Sequence, residues 1–209
     1  MLMARVSSDL RAAALVEVEP ARVLAAVNTA VFERNQPDIF VTAVYLVLDV
    51  RNHHMVMGNA GHLPPFIRRA SGATERVEGG SGTAIGIFED AEYEQAVVQL
   101  APGDTMVLCT DGVLEATDSR GEQFGFEGLE RSLASGDTRA AAIAERLHGH
   151  LREHVGDAAQ YDDITLLLCG ISPLGAVADE GPPVSSKPVS WRTLPTVGDM
   201  TLRPPPPRE

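Results

Sequence analysis

Two acidic corners carry the residue types in this sequence best suited to chemistry. The first is Thr110-Asp111-Gly112, at the end of the apolar, β-favouring run from Thr105 to Thr110. The second is Asp162-Asp163, directly before the apolar run Ile164 to Ile171. A carboxylate at the end of a buried strand is costly unless it meets a cation, a helix N-terminus or a hydrogen-bonded turn. If the two runs are antiparallel neighbours in one sheet, the end of one lies beside the start of the other. The carboxylates then gather at one rim, where like charges demand a cation or a shared proton. An all-oxygen set favours Mg²⁺ or Mn²⁺ over zinc, which prefers histidine and cysteine. Two such ions would activate a water for in-line attack on a phosphate. Gly112 lets the chain turn, and its backbone would line the same rim. Spacing alone leaves a plainer reading open, in which Asp111 tops a turn and Asp162-Asp163 only start a strand.

Other polar residues have competing readings. His62, in Asn59-Ala60-Gly61-His62-Leu63-Pro64-Pro65, has the chemistry of a general acid acting on a substrate. Its glycine and proline neighbours equally suit a tight turn that the histidine merely braces. Asp49 ends a strand-like run and suits an Asx-type turn. Glu115 suits a cap or salt bridge to the helix that follows. Cys109 and Cys169 each lie in an apolar run, as expected of free buried thiols in a reducing cytoplasm. No side chain is assigned as a covalent or acid–base catalyst.

The elements that must position the corners follow from periodicity. Leu2, Val6, Leu10 and Ala13 share one helical face, and Val23, Leu24, Val27, Ala30 and Val31 share a second. Glu19-Pro20 separates them, with Pro20 suited to a first helical turn. From Phe40 to Asp49 the run is β-branched and aromatic, predicting a central strand, and His54–Ala60 returns as its hairpin partner. Phe66 to Arg69, Gln95 to Leu100 and Thr105 to Thr110 complete a meander of antiparallel strands, with Pro102-Gly103-Asp104 as a strong turn. Phe126–Leu133 reads as a short helix. Thr138 should cap a longer one with Ala141, Ala144, Leu147, Leu151 and Val155 on its apolar side, ended by Gly156. Residues 172–209 are proline-rich and predict a disordered tail.

Composition narrows the partners. The formal charge of −12 argues against nucleic acid, which needs a basic surface, and so against a metal-dependent nuclease. No apolar run reaches about 18 residues, so no membrane span is expected and the cytoplasm is the expected location. With 209 residues and 44% hydrophobic content, one full core is expected.

Taken in order, the motifs resemble a known family. Phe40-Val-Thr-Ala-Val-Tyr45, Asn59-Ala-Gly-His62-Leu-Pro-Pro65, Gly86-Ile-Phe88, Pro102-Gly-Asp104, Thr110-Asp-Gly-Val-Leu-Glu115, Phe124-Gly125 and Asp162-Asp-Ile-Thr165 follow one another in register. The series resembles the SpoIIE-like branch of the PPM-type (protein phosphatase 2C-like) metal-dependent serine/threonine phosphatases, over residues 1–171. The resemblance implies an α+β fold, an α-β-β-α four-layer sandwich of two antiparallel sheets flanked by helix pairs. It implies hydrolysis of phosphoserine or phosphothreonine on a regulatory partner protein of the anti-anti-sigma type, by water activated at an Mn²⁺ or Mg²⁺ pair. By motif, Asp111 and Asp162 match metal ligands of the family, with Asp163 as the adjacent second choice. The family also carries Gly-Asp-x-x-Asp and Asp-x-x-Gly-x-Gly segments ahead of the helix that here starts at Met1. Their absence makes the expected domain N-terminally incomplete, lacking its first strands and part of its metal shell. A non-catalytic phosphatase-like binding module is the alternative.

Overall fold

In a computed structural model of the protein, residues 2–34 and 39–172 are described. They form two compact units, one containing the residues up to Pro64 together with Val77–Leu100, the other Pro65–Arg76 together with the chain from Ala101. The predicted disordered tail lies, from residue 173 on, outside the described residues.

The first unit holds α1 (Leu2–Val16), α2 (Pro20–Phe32), β1 (Ala43–Asp49), β2 (His54–Ala60) and β5 (Ala96–Gln99), the last three in one antiparallel sheet of order β1-β2-β5. Pro20 occupies the first turn of α2, as its fixed φ favours. The expected stripe is the one that is covered, since Val23, Leu24, Val27 and Val31 are buried with Val6 and Ala13 of α1. Burying each such valine or leucine contributes about 1.5–3 kcal/mol. Helix α2 comes so close to β2 that a Cβ on Gly58 would lie 2.8 Å from Leu24 Cδ1. The β1–β2 hairpin pairs Asp49 with His54 around the expected turn. β1 itself corrects the expectation of a central strand. Among the described residues β2 is the middle strand and β1 an edge, with all seven β1 residues half-buried. β-branched composition selects an extended backbone, but the number of neighbours is a tertiary matter.

The second unit holds β3 (Phe66–Arg68), β4 (Thr74–Arg76), β6 (Thr105–Cys109), α3 (Gly125–Ala134), α4 (Ala140–Val155) and β7 (Leu166–Gly170). Its sheet is antiparallel in the order β4-β3-β6-β7. A simple meander is therefore not what forms: the chain alternates between two sheets, and the β3–β4 hairpin was not foreseen in full. Leu129 and Leu133 of α3 and Ile143, Leu147 and Leu151 of α4 are buried, with Phe66, Ile67 and Val107 from the sheet. The cap of α4 also differs from expectation. Its N-cap residue is Arg139, while the Thr138 carbonyl accepts a hydrogen bond from the Thr105 hydroxyl at 2.6 Å. Gly156 ends the helix with φ of 54°, as expected of a residue free of the Cβ penalty. Among the described residues, two antiparallel sheets and four α-helices make up the α+β fold anticipated from the motifs.

Candidate metal centre

β6 and β7 are direct antiparallel neighbours, with Cys109 opposite Leu166. That register is what the corner hypothesis required, because it sets the exit of β6 beside the entry of β7. Just beyond the ladder, Thr110 joins the two segments. Its N–H donates to the Thr165 carbonyl at 3.1 Å. Its hydroxyl donates to the Asp163 carbonyl at 2.9 Å and accepts the Thr165 N–H at 3.0 Å. The chain then enters a 3₁₀ turn over Asp111–Val113. Gly112 is buried so tightly there that a Cβ would lie 2.5 Å from the Asp163 carbonyl oxygen and 3.5 Å from Asp162 Cβ. The backbones of Asp111-Gly112 and Asp162-Asp163 are thus in contact, although 49 residues of chain lie between them. The role of Thr110 in this junction was not read from the sequence; a lone threonine at a strand end carries no distinctive signal.

The carboxylates themselves are exposed. This corrects one premise, since β6 ends at Cys109 and Asp111 is not a buried strand-end charge that needs a partner to offset desolvation. Water solvates it, and what remains is the gathering of like charges at one edge. Asp111 Oδ1 accepts the Gly112 N–H at 3.1 Å, and Asp162 Oδ1 accepts the Asp163 N–H at 2.7 Å. Among the described residues none of the three aspartates forms an ion pair with a basic side chain. The Asp111 charge also reaches Cys109, whose thiol is pushed up to about 12 by burial and then by that charge. Such a thiol is inert at neutral pH; of the two expected buried thiols, Cys109 is buried and Cys169 only half-buried.

The donor set is hard oxygen from two backbone-locked segments, and it suits a hard divalent cation rather than zinc. It is also incomplete: among the described residues no group of three or more histidine, cysteine, aspartate or glutamate side chains is arranged as a metal cage. Beside the corner opens a pocket of ≈ 220 Å³ lined by Gly112, Asp162, Glu115, Gln123, Gln160 and Tyr161 among others, with no basic residue in its wall. Glu115 faces this pocket and, among the described residues, makes no salt bridge to α3.

The other singled-out residues sit at turns held by local hydrogen bonds. His62 belongs to the first unit, where Asn59 clamps it: the Asn59 amide donates to the His62 carbonyl and accepts its N–H, both at 2.8 Å. Its ring Nδ1 lies 3.2 Å from the Thr42 hydroxyl. Asp49 forms the expected Asx turn, accepting N–H groups of Arg51 and Asn52 and the Asn52 amide. A pair that sequence reading missed is Asp104 with Arg69. Asp104 is 2% exposed and takes Arg69 Nη1 at 2.8 Å plus the N–H groups of Ala70 and Ala101.

The fold is that of PP2C-type phosphatase domains. The SiaA-PP2C domain of Pseudomonas aeruginosa superposes with a TM-score of 0.64 at 24% identity, covering 78% of this chain and 66% of that one. The phosphatase domain of the cell fate determinant SpoIIE from Bacillus subtilis, presoaked with Mn, gives 0.56 at 16% identity over 86% of this chain and 76% of that one. The chain belongs to the SpoIIE (stage II sporulation protein E) family, whose model matches residues 1–172. Among curated proteins it is 30% identical over 154 residues to phosphoserine phosphatase RsbU of Bacillus subtilis, covering 72% of this chain and 45% of RsbU. The chain spans less than half the length of the curated relatives it matches. Among the described residues no helix is long and apolar enough to cross a membrane.

Proposed function

We propose that this chain is the phosphatase domain of a Mn²⁺- or Mg²⁺-dependent cytoplasmic enzyme that hydrolyses phosphoserine or phosphothreonine on a regulatory partner protein. The observation that carries the reading is the contact between the β6 exit and the β7 entry, which gathers Asp111, Asp162 and Asp163 at one edge. Asp111 and Asp162 would hold the cation, with Asp163 adjacent. When bound, the ion supplies Lewis acidity and a water of lowered pKa. The chain's own contribution is positional. Thr110 fixes the spacing of the two segments, and Gly112 lets their backbones touch. The acidic pocket beside them would seat the neutral or basic residues that flank a phosphorylated side chain, and it would repel a second anion. The family membership and the Mn-presoaked fold relative support the same reading.

A second reading is a non-catalytic module that keeps the phosphatase shape to hold a phosphorylated partner. It is favoured by the lack, among the described residues, of any group of three or more histidine, cysteine, aspartate or glutamate side chains arranged to hold a metal ion. Hydrolysis of p-nitrophenyl phosphate with and without Mn²⁺ separates the two, comparing this chain with a version extended at its N-terminus. Mn²⁺-dependent turnover from either chain supports the enzyme. Turnover from neither rejects it in favour of the binding module.

A further inference from the structure

Arg68, at the end of β3, is a buried arginine with no carboxylate partner among the described residues. It is 3% exposed, and a guanidinium cannot shed its charge. Among the described residues it has no carboxylate partner; its single polar contact is Nη1 to the Arg69 carbonyl at 3.2 Å. Its Nε is sealed from water with no acceptor, and so is the hydroxyl of Thr74. These two orphans stand directly opposite each other, since Arg68 pairs with Thr74 across β3–β4 and with Thr105 across β3–β6. Cross-strand partners project to the same face of a sheet. Thr105 binds the Thr138 carbonyl at the entrance of α4, which places this face beneath the α3–α4 connection.

A second guanidinium comes to the same place. Arg146 of α4 is held by carbonyls alone, with Nε on Ser132 at 2.7 Å and its Nη atoms 3.4 and 3.5 Å from Asp137. Its pKa is lowered by burial and then by the charge of Arg68. Each group is covered by a glycine of positive φ, with Cβ positions on Gly72 and Gly136 only 3.1 and 3.0 Å from the respective Nη1 atoms. The nearby carboxylates are engaged elsewhere: Asp104 and Glu75 with Arg69, and Asp137 with Arg139. Among the described residues neither guanidinium forms a salt bridge, and the Asp137 charge that reaches Arg146 is shared with Arg139, so Arg68 stays buried without a carboxylate of its own.

We propose that Arg68 and Arg146, together with the Thr74 hydroxyl, bind a small oxyanion of the phosphate or sulfate class beneath the α3–α4 connection. Guanidinium groups bind such anions through paired N–H donors, and Arg68 Nε and the Thr74 O–H are donors that lack acceptors. The burial of Arg68 restricts the ligand to a free ion, because a phosphate carried on a protein would bring its chain with it. The site is also separate from the acidic corner. Arg68 pairs with Thr105 at the start of β6, and the corner opens at Asp111, six residues on and just past the strand's end, at most about 20 Å along extended chain. It is a stabilising or regulatory site, independent of the catalytic proposal.

The test is thermal unfolding of the full chain in EDTA, titrated with inorganic phosphate against sodium chloride at matched ionic strength. EDTA removes metal, so phosphate held through a cation at the corner cannot contribute. The expected result is a rise in Tm that saturates with phosphate. Arg146→Met and Thr74→Val should retain the fold, and Arg146→Met should raise the half-saturating phosphate concentration about tenfold or more. Arg68→Met should abolish the response, and Arg120→Met, at an exposed arginine, should leave it unchanged. If Arg68→Met does not fold, Arg146→Met and Thr74→Val carry the comparison. A linear, unsaturating rise that is equal in all variants is generic exclusion of phosphate from the surface and overturns the site. So does no rise at all.

Discussion

Replacing Gly112 by alanine tests the acidic corner without touching a carboxylate. The new methyl would sit 2.5 Å from the Asp163 carbonyl oxygen and 3.2 Å from its carbon, both backbone atoms that cannot rotate aside. Ordinary contact begins near 3.4 Å, so the two segments must part by roughly 0.9 Å. That displacement takes the Thr110 hydroxyl, now 2.9 Å from the same oxygen, out of hydrogen-bond range. Overpacking costs about 1–3 kcal/mol and the hydrogen bond about 1 more. For a chain of this size the total lowers Tm by roughly 4–16 °C. Gly149→Ala is the matched control. It lies inside α4 with nothing within 4 Å of the added Cβ, and should stabilise by about 0.5–1 kcal/mol. Circular dichroism melts of the two variants, with calorimetric Mn²⁺ titrations, read the result. Gly112→Ala should lose stability and weaken any Mn²⁺ binding together. If it melts with the wild type and binds Mn²⁺ equally well, the segments are not in contact and the corner is wrongly built.

Asp111→Asn should sharply weaken Mn²⁺ binding while Asp49→Asn, in its own Asx turn, should not; equal losses by calorimetry would displace the site. Asp104→Asn should cost about 2–3 kcal/mol in urea unfolding, since it strips a buried charge from Arg69, which keeps Glu75. The same group governs acid stability. Burial pushes the Asp104 carboxyl up, but the Ala70 N–H, the Arg69 guanidinium and the Ala101 N–H outweigh it and hold the pKa below the usual range. Its contribution is complete above the ordinary value of about 4 and is lost as pH falls through the lowered folded value. Wild-type stability should therefore fall more steeply below about pH 4 than that of Asp104→Asn; parallel curves would refute the assignment. Cys109, with its raised pKa, should resist iodoacetamide at pH 8 in the native protein and react after unfolding, by peptide mapping; rapid native labelling would contradict its burial.

What the sequence determined by itself was everything set by local repetition. The stripes of Val23, Leu24, Val27 and Val31 and of Leu147, Leu151 and Val155 are the buried faces of α2 and α4, because a 3.6-residue period selects one side of a helix wherever that helix goes. The ordered motifs also located both halves of the acidic corner, and Gly61, Gly103 and Gly156 stand where positive φ is needed. Pairing between distant strands was decided only in three dimensions. Nothing local distinguishes β1 as an edge, reveals that β3 and β4 leave one sheet for another, or places Asp104 under Arg69. Asp111 shows the division most plainly. Its neighbours in sequence made it a burdened charge at the end of a buried strand, whereas the fold exposes it to water and sets Asp162 beside it. Burial and proximity belong to the packed chain, since both depend on segments that meet across fifty residues or more.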